Sequence, residues 1–184
     1  MDSLARNLLV AIPELPDSNF FRTVVFMMDH TDEGAMGVVL NRPTSVEISD
    51  LWQKLDSDVE VYIDGKVHVG GPVEGPIIAL HDQFSMSDEM IIDEVYMTMT
   101  SDRMNQLVAK SGIKFRVFSG YSGWAPGQLE AEVQNGGWLV TEATSSDVYG
   151  SPEALWKSVC ERVGNKIMFP GLPDISSGTD PNLN

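Results

Sequence analysis

The apolar residues of this chain come in short runs broken by glycine and proline, and that spacing limits what it can build. The longest runs, such as Leu8 to Ile12 and Val24 to Met28, have the length of strands. None approaches the ~20 residues that cross a bilayer as a helix. With 16 Gly and 10 Pro among 184 residues, turn signals recur throughout.

Asn7 to Ile12 reads as a strand, ended at Pro13, and Pro13 to Asp17 as a loop. Thr23 to Met28 and Gly34 to Leu40 read as two further strands. The stretch His30 to Glu33 between them suits a hairpin loop, so the pair is expected to run antiparallel. Pro43 then breaks the pattern. Ser49 caps a short helix reaching Leu55, with Leu51, Trp52 and Leu55 facing inward. Val67 to Val69 and Ile77 to Leu80 are short strands on either side of Gly70-Gly71-Pro72. Val95, Met97 and Met99 alternate with Tyr96, Thr98 and Thr100, the period of a half-buried strand. Ser101 and Asp102 open a helix to about Lys110, closed by Gly112.

Lys114 to Ser119 is a strand, followed by a glycine-rich turn, a helix from about Ala125 to Gln134, and a strand at Trp138 to Val140. The final helix has Ser151 as its cap, Pro152 in its first turn and Gly164 at its end. Leu155, Trp156, Val159, Cys160 and Val163 form its apolar face. Many short strands with three or four helices and hairpin-length connections predict a single α+β domain with a largely antiparallel sheet. That domain is expected over residues 1–170. The segment 171–184, with two prolines, two glycines and no periodicity, is expected to be a mobile tail.

Charge narrows the range of partners. Twelve Lys and Arg against 27 Asp and Glu leave a net charge of −15. Such a surface repels phosphate backbones and anionic lipids, and no basic run reads as an arm or recognition helix. Direct nucleic-acid binding and membrane attachment are therefore not expected, whereas a protein partner or a small ligand is. One cysteine, Cys160, permits no intrachain disulfide, and the start Met1 to Arg6 lacks the form of a signal peptide. A cytoplasmic location follows as the expectation. The histidines His30, His68 and His81 lack paired metal-ligand spacing, so neither a metal nor a cofactor is expected.

Four clusters carry what chemistry the sequence offers: Gly34 to Pro43, Gly70 to Val73 with Leu80-His81 beyond, Thr100 to Asp102, and Gly120 to Glu130 with Glu132 and Trp138 following. In this order and spacing they resemble the YqgE/AlgH family, and Leu8 to Pro13 and Phe20 to Val25 resemble its N-terminal signature. The resemblance covers about residues 4 to 164. It departs before the last helix, where the family's aromatic-Asp-Thr-Pro segment appears as Tyr149-Gly150-Ser151-Pro152. The resemblance implies a compact α+β fold with a strongly bent sheet. It also implies a label, transcriptional regulator, and members are often encoded beside a Holliday-junction-resolvase-like protein. Neither amounts to a mechanism.

The residues admit two readings at each cluster. Gly120 to Gly127 offers amides for an anion, but the spacing is neither a dinucleotide fingerprint nor a P-loop, and Glu130 and Glu132 bring negative charge close. A tight turn and close packing is the simpler account. Ser122 fails the nucleophile-elbow pattern because Trp124 stands where its second glycine belongs. Asn41 and Arg42 end a strand, where Arg42 would hold a carboxylate of the protein or of a ligand. Asp88, Glu89, Asp93 and Glu94 around Met90-Ile91-Ile92 read as solvated turn charges.

The candidate ligand-binding set is Asn41, Arg42, Gly70, Gly71, His81, Gly120, Tyr121, Trp124, Gln128 and Glu130, all at strand ends or turns. The preferred function is a non-catalytic binding or adaptor module with an indirect regulatory role. A hydrolase using His81 with Asp102 or Glu130 is the second reading, and a transcriptional regulator the third.

Overall fold

The computed structural model describes residues 2–13, 19–55 and 58–168; the expected tail at 171–184 lies outside them. The chain enters through strand β1 (Asn7–Ala11), followed by β2 (Val24–Thr31), β3 (Gly34–Val39) and β4 (Pro43–Glu47). Helix α1 (Ile48–Lys54) leads to β5 (Lys66–Val69) and β6 (Val73–His81). A 3-10 turn at Phe84–Met86 precedes β7 (Glu89–Ile92), β8 (Val95–Thr98) and α2 (Ser101–Val108). The long strand β9 (Phe115–Trp124), α3 (Gln128–Gln134), β10 (Trp138–Glu142), α4 (Ser145–Tyr149) and α5 (Pro152–Met168) complete the fold.

The strands join in one strongly curled sheet of order β10-β1-β2-β3-β9-β6-β8-β7, with β5 and β4 branching from β9. Every pairing is antiparallel except β5 with β9. β9 is the seam. Its first half lies between β5 and β6, and Ala35, Met36 and Gly37 of β3 then pair with its last three residues.

Three apolar clusters fill the two faces. Leu8, Phe26, Ile78 and Phe118 meet Leu155, Val159 and Val163 of α5. Leu9, Val25 and Met27, on the opposite face, pack with Trp124, Leu129 and Trp138. Val67, Ala79 and Val117 are covered by Trp52 from α1 and by Met104 and Val108 from α2. Each such fully buried side chain contributes roughly 1.5–3 kcal/mol.

Several local expectations need correction. The structure has five α-helices among the described residues, not three or four. The additional one, α4, begins at a Thr144–Asp147 capping box that the Thr-x-x-Asp spacing announces. Pro43 opens a strand rather than only breaking one, a position where its missing N–H costs no ladder bond. Met90 to Ile92 belong to strand β7, which Glu89 opens; Asp93 and Glu94 are the exposed turn to β8, as read, whereas Asp88 is engaged by Thr98, Thr100 and Arg103. Helix α1 starts after Glu47, one residue before Ser49, and Leu55 is 53% exposed. Helix α5 runs through Gly164 to Met168, because a helical glycine on an open flank weakens a helix without ending it. On its apolar face Trp156 and Cys160 are half-buried beside the three fully buried residues.

Candidate functional site

The glycine-rich segment after Ser119 is not a turn. Gly120 to Trp124 continue β9, and helix α3 begins only at Gln128, after Ala125-Pro126-Gly127. The glycines are required where β9 meets the bend at Gly70-Gly71. A Cβ on Gly70 would lie 2.2 Å from the carbonyl oxygen of Gly120, and one on Gly71 would lie 2.3 Å from that of Tyr121. Gly71 also has φ +156 and Gly120 φ +73. Backbone bonds lock the crossing: Gly70 N–H donates to the Ser119 carbonyl at 3.0 Å, and its own carbonyl accepts from Val39 N–H at 2.8 Å and from the buried Ser122 hydroxyl at 3.1 Å.

Two open grooves lie along this crossing. One, of about 480 Å³, is bordered by Asp29, Glu33, Met36, Val73, Tyr121 and Trp124, with Gly34 and Gly123 between them. The other, of about 430 Å³, runs over Val69, Gly71, Pro72, Glu74, Ser119 and Gly120, and shares Val73 with the first. The Tyr121 ring borders the first. It lies over Gly75 and Gly123, where added Cβ atoms would come within 2.8 and 3.2 Å of its carbons. Missing side chains thus leave room for the ring, and Asp29 and Glu33 stand exposed at the rim.

Of the predicted residues, Gly71, Gly120, Tyr121 and Trp124 border these grooves. Gly70 is buried directly behind them. Asn41 and Arg42 are spent on the neighbouring loop. Asn41 accepts from Val24 N–H and donates to the Arg22 carbonyl, both at 2.9 Å. Arg42 donates to the Phe21 carbonyl at 2.5 Å, so among the described residues its partner is a backbone oxygen and not a carboxylate.

His81 lies at the far end of β6 from Val73, fully buried, and borders neither groove. Its Nδ1 accepts from Gln83 N–H at 3.2 Å, its Nε2 has no partner among the described residues, and burial pushes its pKa down to about 4. The pairing weighed for a hydrolase is not formed. Glu130 instead meets Nε2 of His30 at 3.2 Å, while Nδ1 of His30 accepts from Leu4 N–H at 2.8 Å. That pair fastens the N-terminal segment to α3.

Gln128 and its neighbour Glu132 hold the wall of the first groove. Gln128 accepts from Ala125 N–H at 3.1 Å and donates to Glu132 at 2.9 Å. The other oxygen of Glu132 accepts from the indoles of Trp124 at 3.0 Å and Trp138 at 2.9 Å. Phe20 stacks on the Trp124 ring at 6.0 Å and meets Trp138 edge-on at 5.3 Å. One carboxylate therefore sets two aromatic rings.

Asp29, Glu33, Met36 and Val73 were missed as groove residues. Loss of the apolar run after Met28 marks where β2 leaves the core, but nothing local in the sequence brings Val73 to Met36. Arg116 was missed as well. Buried on β9, it donates to the Leu40 carbonyl at 3.1 Å and to that of Gly150, tying the end of β3 to the start of α5.

The AlgH-like family model matches residues 8–168. The chain belongs to the YqgE/AlgH family. A UPF0301 protein of Streptomyces avermitilis is 38% identical, with all of this chain and 97% of that protein aligned. One from Myxococcus xanthus is 34% identical over 89% of this chain and 93% of its own length. The solution structure of the AlgH protein from Pseudomonas aeruginosa superposes with a TM-score of 0.74 at 28% identity, covering 94% of this chain and 96% of that one. A crystal structure from Corynebacterium diphtheriae, 24% identical with a TM-score of 0.72 and covering 88% and 87% of the two chains, shares the fold. In this YqgE/AlgH chain no described helix is long and apolar enough to cross a membrane.

Proposed function

We propose that this YqgE/AlgH chain is a non-catalytic cytoplasmic binding module whose groove around Tyr121 engages a protein segment or small ligand. The observation that carries this reading is the groove itself: an aromatic ring seated on glycines, a second ring behind it held by Glu132, and two exposed carboxylates at the rim. Three of the polar groups weighed for a site are placed in ways that support a structural role. His30 binds Leu4 and Glu130, His81 is sealed within the sheet, and Arg42 holds a backbone carbonyl. The family's regulatory label is then read as action through a partner, because a net charge of −15 repels nucleic-acid phosphates at long range.

Titration of the isotope-labelled protein with a panel of short peptides, metabolites and a DNA duplex, followed by NMR, tests the reading. Amide shifts are expected to cluster at Gly34, Met36, Tyr121 and Gly123 with the Trp124 indole, and to be absent with DNA. Turnover of a panel member, or shifts that cluster at His81 instead, would overturn it.

A further inference from the structure

The end of the sheet at β7 has unmet surface of a different kind. β7 pairs with β8 alone, and among the described residues 89–92 make no backbone bond outside that ladder. Met90 faces Tyr96 across the ladder and is 51% exposed; the Tyr96 ring meets Phe84, itself 73% exposed, at 5.8 Å. At the other end of the sheet, by contrast, β10 has Trp138 and Thr141 buried and α3 packed close by. β7 thus presents an open edge beside an apolar strip.

Charge indicates what would cover it. Arg103 pairs with Asp88, and Lys114 meets Glu94 at 3.5 Å. Glu89 and Asp93, both exposed, have no ion pair among the described residues. A second copy is a poor occupant. Antiparallel pairing of β7 with itself about Ile91 would set Glu89 opposite Asp93 and Asp88 opposite Glu94, and like charges facing each other destabilise a ladder.

We propose that β7 is a docking edge for an extended segment of another protein in which apolar residues alternate with Lys or Arg. Its backbone would add a strand to the sheet, its apolar residues would cover Met90 and Phe84, and its cations would reach Glu89 and Asp93. This surface lies three strands from β9 in the sheet order, so it is independent of the groove around Tyr121.

The test uses a fluorescein-labelled peptide, Lys-Val-Lys-Phe-Lys-Val-Lys, with two controls in which Glu replaces Lys or Ser replaces the apolar residues. Anisotropy is expected to show saturable binding of the first, with each control weaker by roughly tenfold or more. Bound peptide should slow amide hydrogen exchange at residues 89–92 by about tenfold and leave 138–142 unchanged. Met90→Lys and, separately, Glu89→Lys with Asp93→Lys should each weaken binding by roughly tenfold while circular dichroism and the melting temperature stay unaltered. Equal affinity for the serine control, unchanged binding by both variants, protection elsewhere, or dimerisation of the free chain through β7 would overturn the proposal.

Discussion

The two halves of β9 do opposite work with the same backbone. Residues 115 to 119 lie between β5 and β6 and carry Arg116, Val117 and Phe118, all buried. Residues 120 to 124 carry two glycines, a buried serine and two aromatic rings, and they open onto the grooves. The first half fills space with side chains; the second leaves them out so that another strand can cross at backbone distance. A concave surface in this fold is made by omission at Gly71, Gly75, Gly120 and Gly123 as much as by Tyr121 and Trp124. The Gly70 amide takes part in this crossing by bonding the Ser119 carbonyl, which locks the two segments together.

The strongest way to break the comparison is Gly71→Ala. The new Cβ would fall 2.3 Å from Tyr121 backbone atoms, which cannot swing aside as a flexible side chain would. Chemical denaturation should show a loss of about 3 kcal/mol or more, the range of forced overpacking combined with backbone strain. Gly127→Ala is the matching control. Gly127 has φ +75 but nothing within 4 Å of an added Cβ, so only the left-handed conformation is penalised, at about 1 kcal/mol. If the two losses were equal, close approach would not be what the crossing requires.

A smaller effect is expected at the groove wall. Glu132→Ala leaves both indole N–H groups, of Trp124 and Trp138, without their acceptor. Leaving such groups unbonded costs about 1–2 kcal/mol in all, since half-buried Glu132 also exposes the site to water. The tryptophan emission maximum should move with it. Glu132→Gln, which keeps an acceptor, should recover most of the stability; no difference between the two variants would show that packing alone sets the rings.

The smallest change at neutral pH is expected of His81→Phe, opposite Phe115 at the start of β9. At pH 7 it should alter stability by no more than about 1 kcal/mol, as a near-isosteric core exchange. The contrast appears in acid. Burial lowers the pKa of both His68 and His81 from 6.5 to about 4, so between those values the unfolded chain binds protons that the folded one refuses. Stability must therefore fall as pH drops from about 6.5 toward about 4 and level off below, as far as these groups are concerned. Removing His81 should flatten that decline in a urea-denaturation series across pH. An unchanged slope would mean that the imidazole titrates normally and is not sealed in the sheet.

Periodicity, turn residues and composition were enough to indicate an α+β chain with an antiparallel sheet. The β2–β3 hairpin and the inward face of α5 at Leu155, Val159 and Val163 were legible because helix and strand periods are properties of neighbouring residues. The motif order was enough to indicate the family. The groove was half legible. Gly71, Gly120, Tyr121 and Trp124 stood out by type, but Asp29, Met36 and Val73 reach them only because β3, β9 and the start of β6 converge in space. The partners of Glu130 and Arg42 were not legible. Whether Glu130 meets His81 or His30, and whether Arg42 finds a carboxylate or the Phe21 carbonyl, depends on which strand ends the curl of the sheet brings together. That curl is set by side chains packed across tens of residues of sequence, and no local pattern encodes a contact between positions 30 and 130.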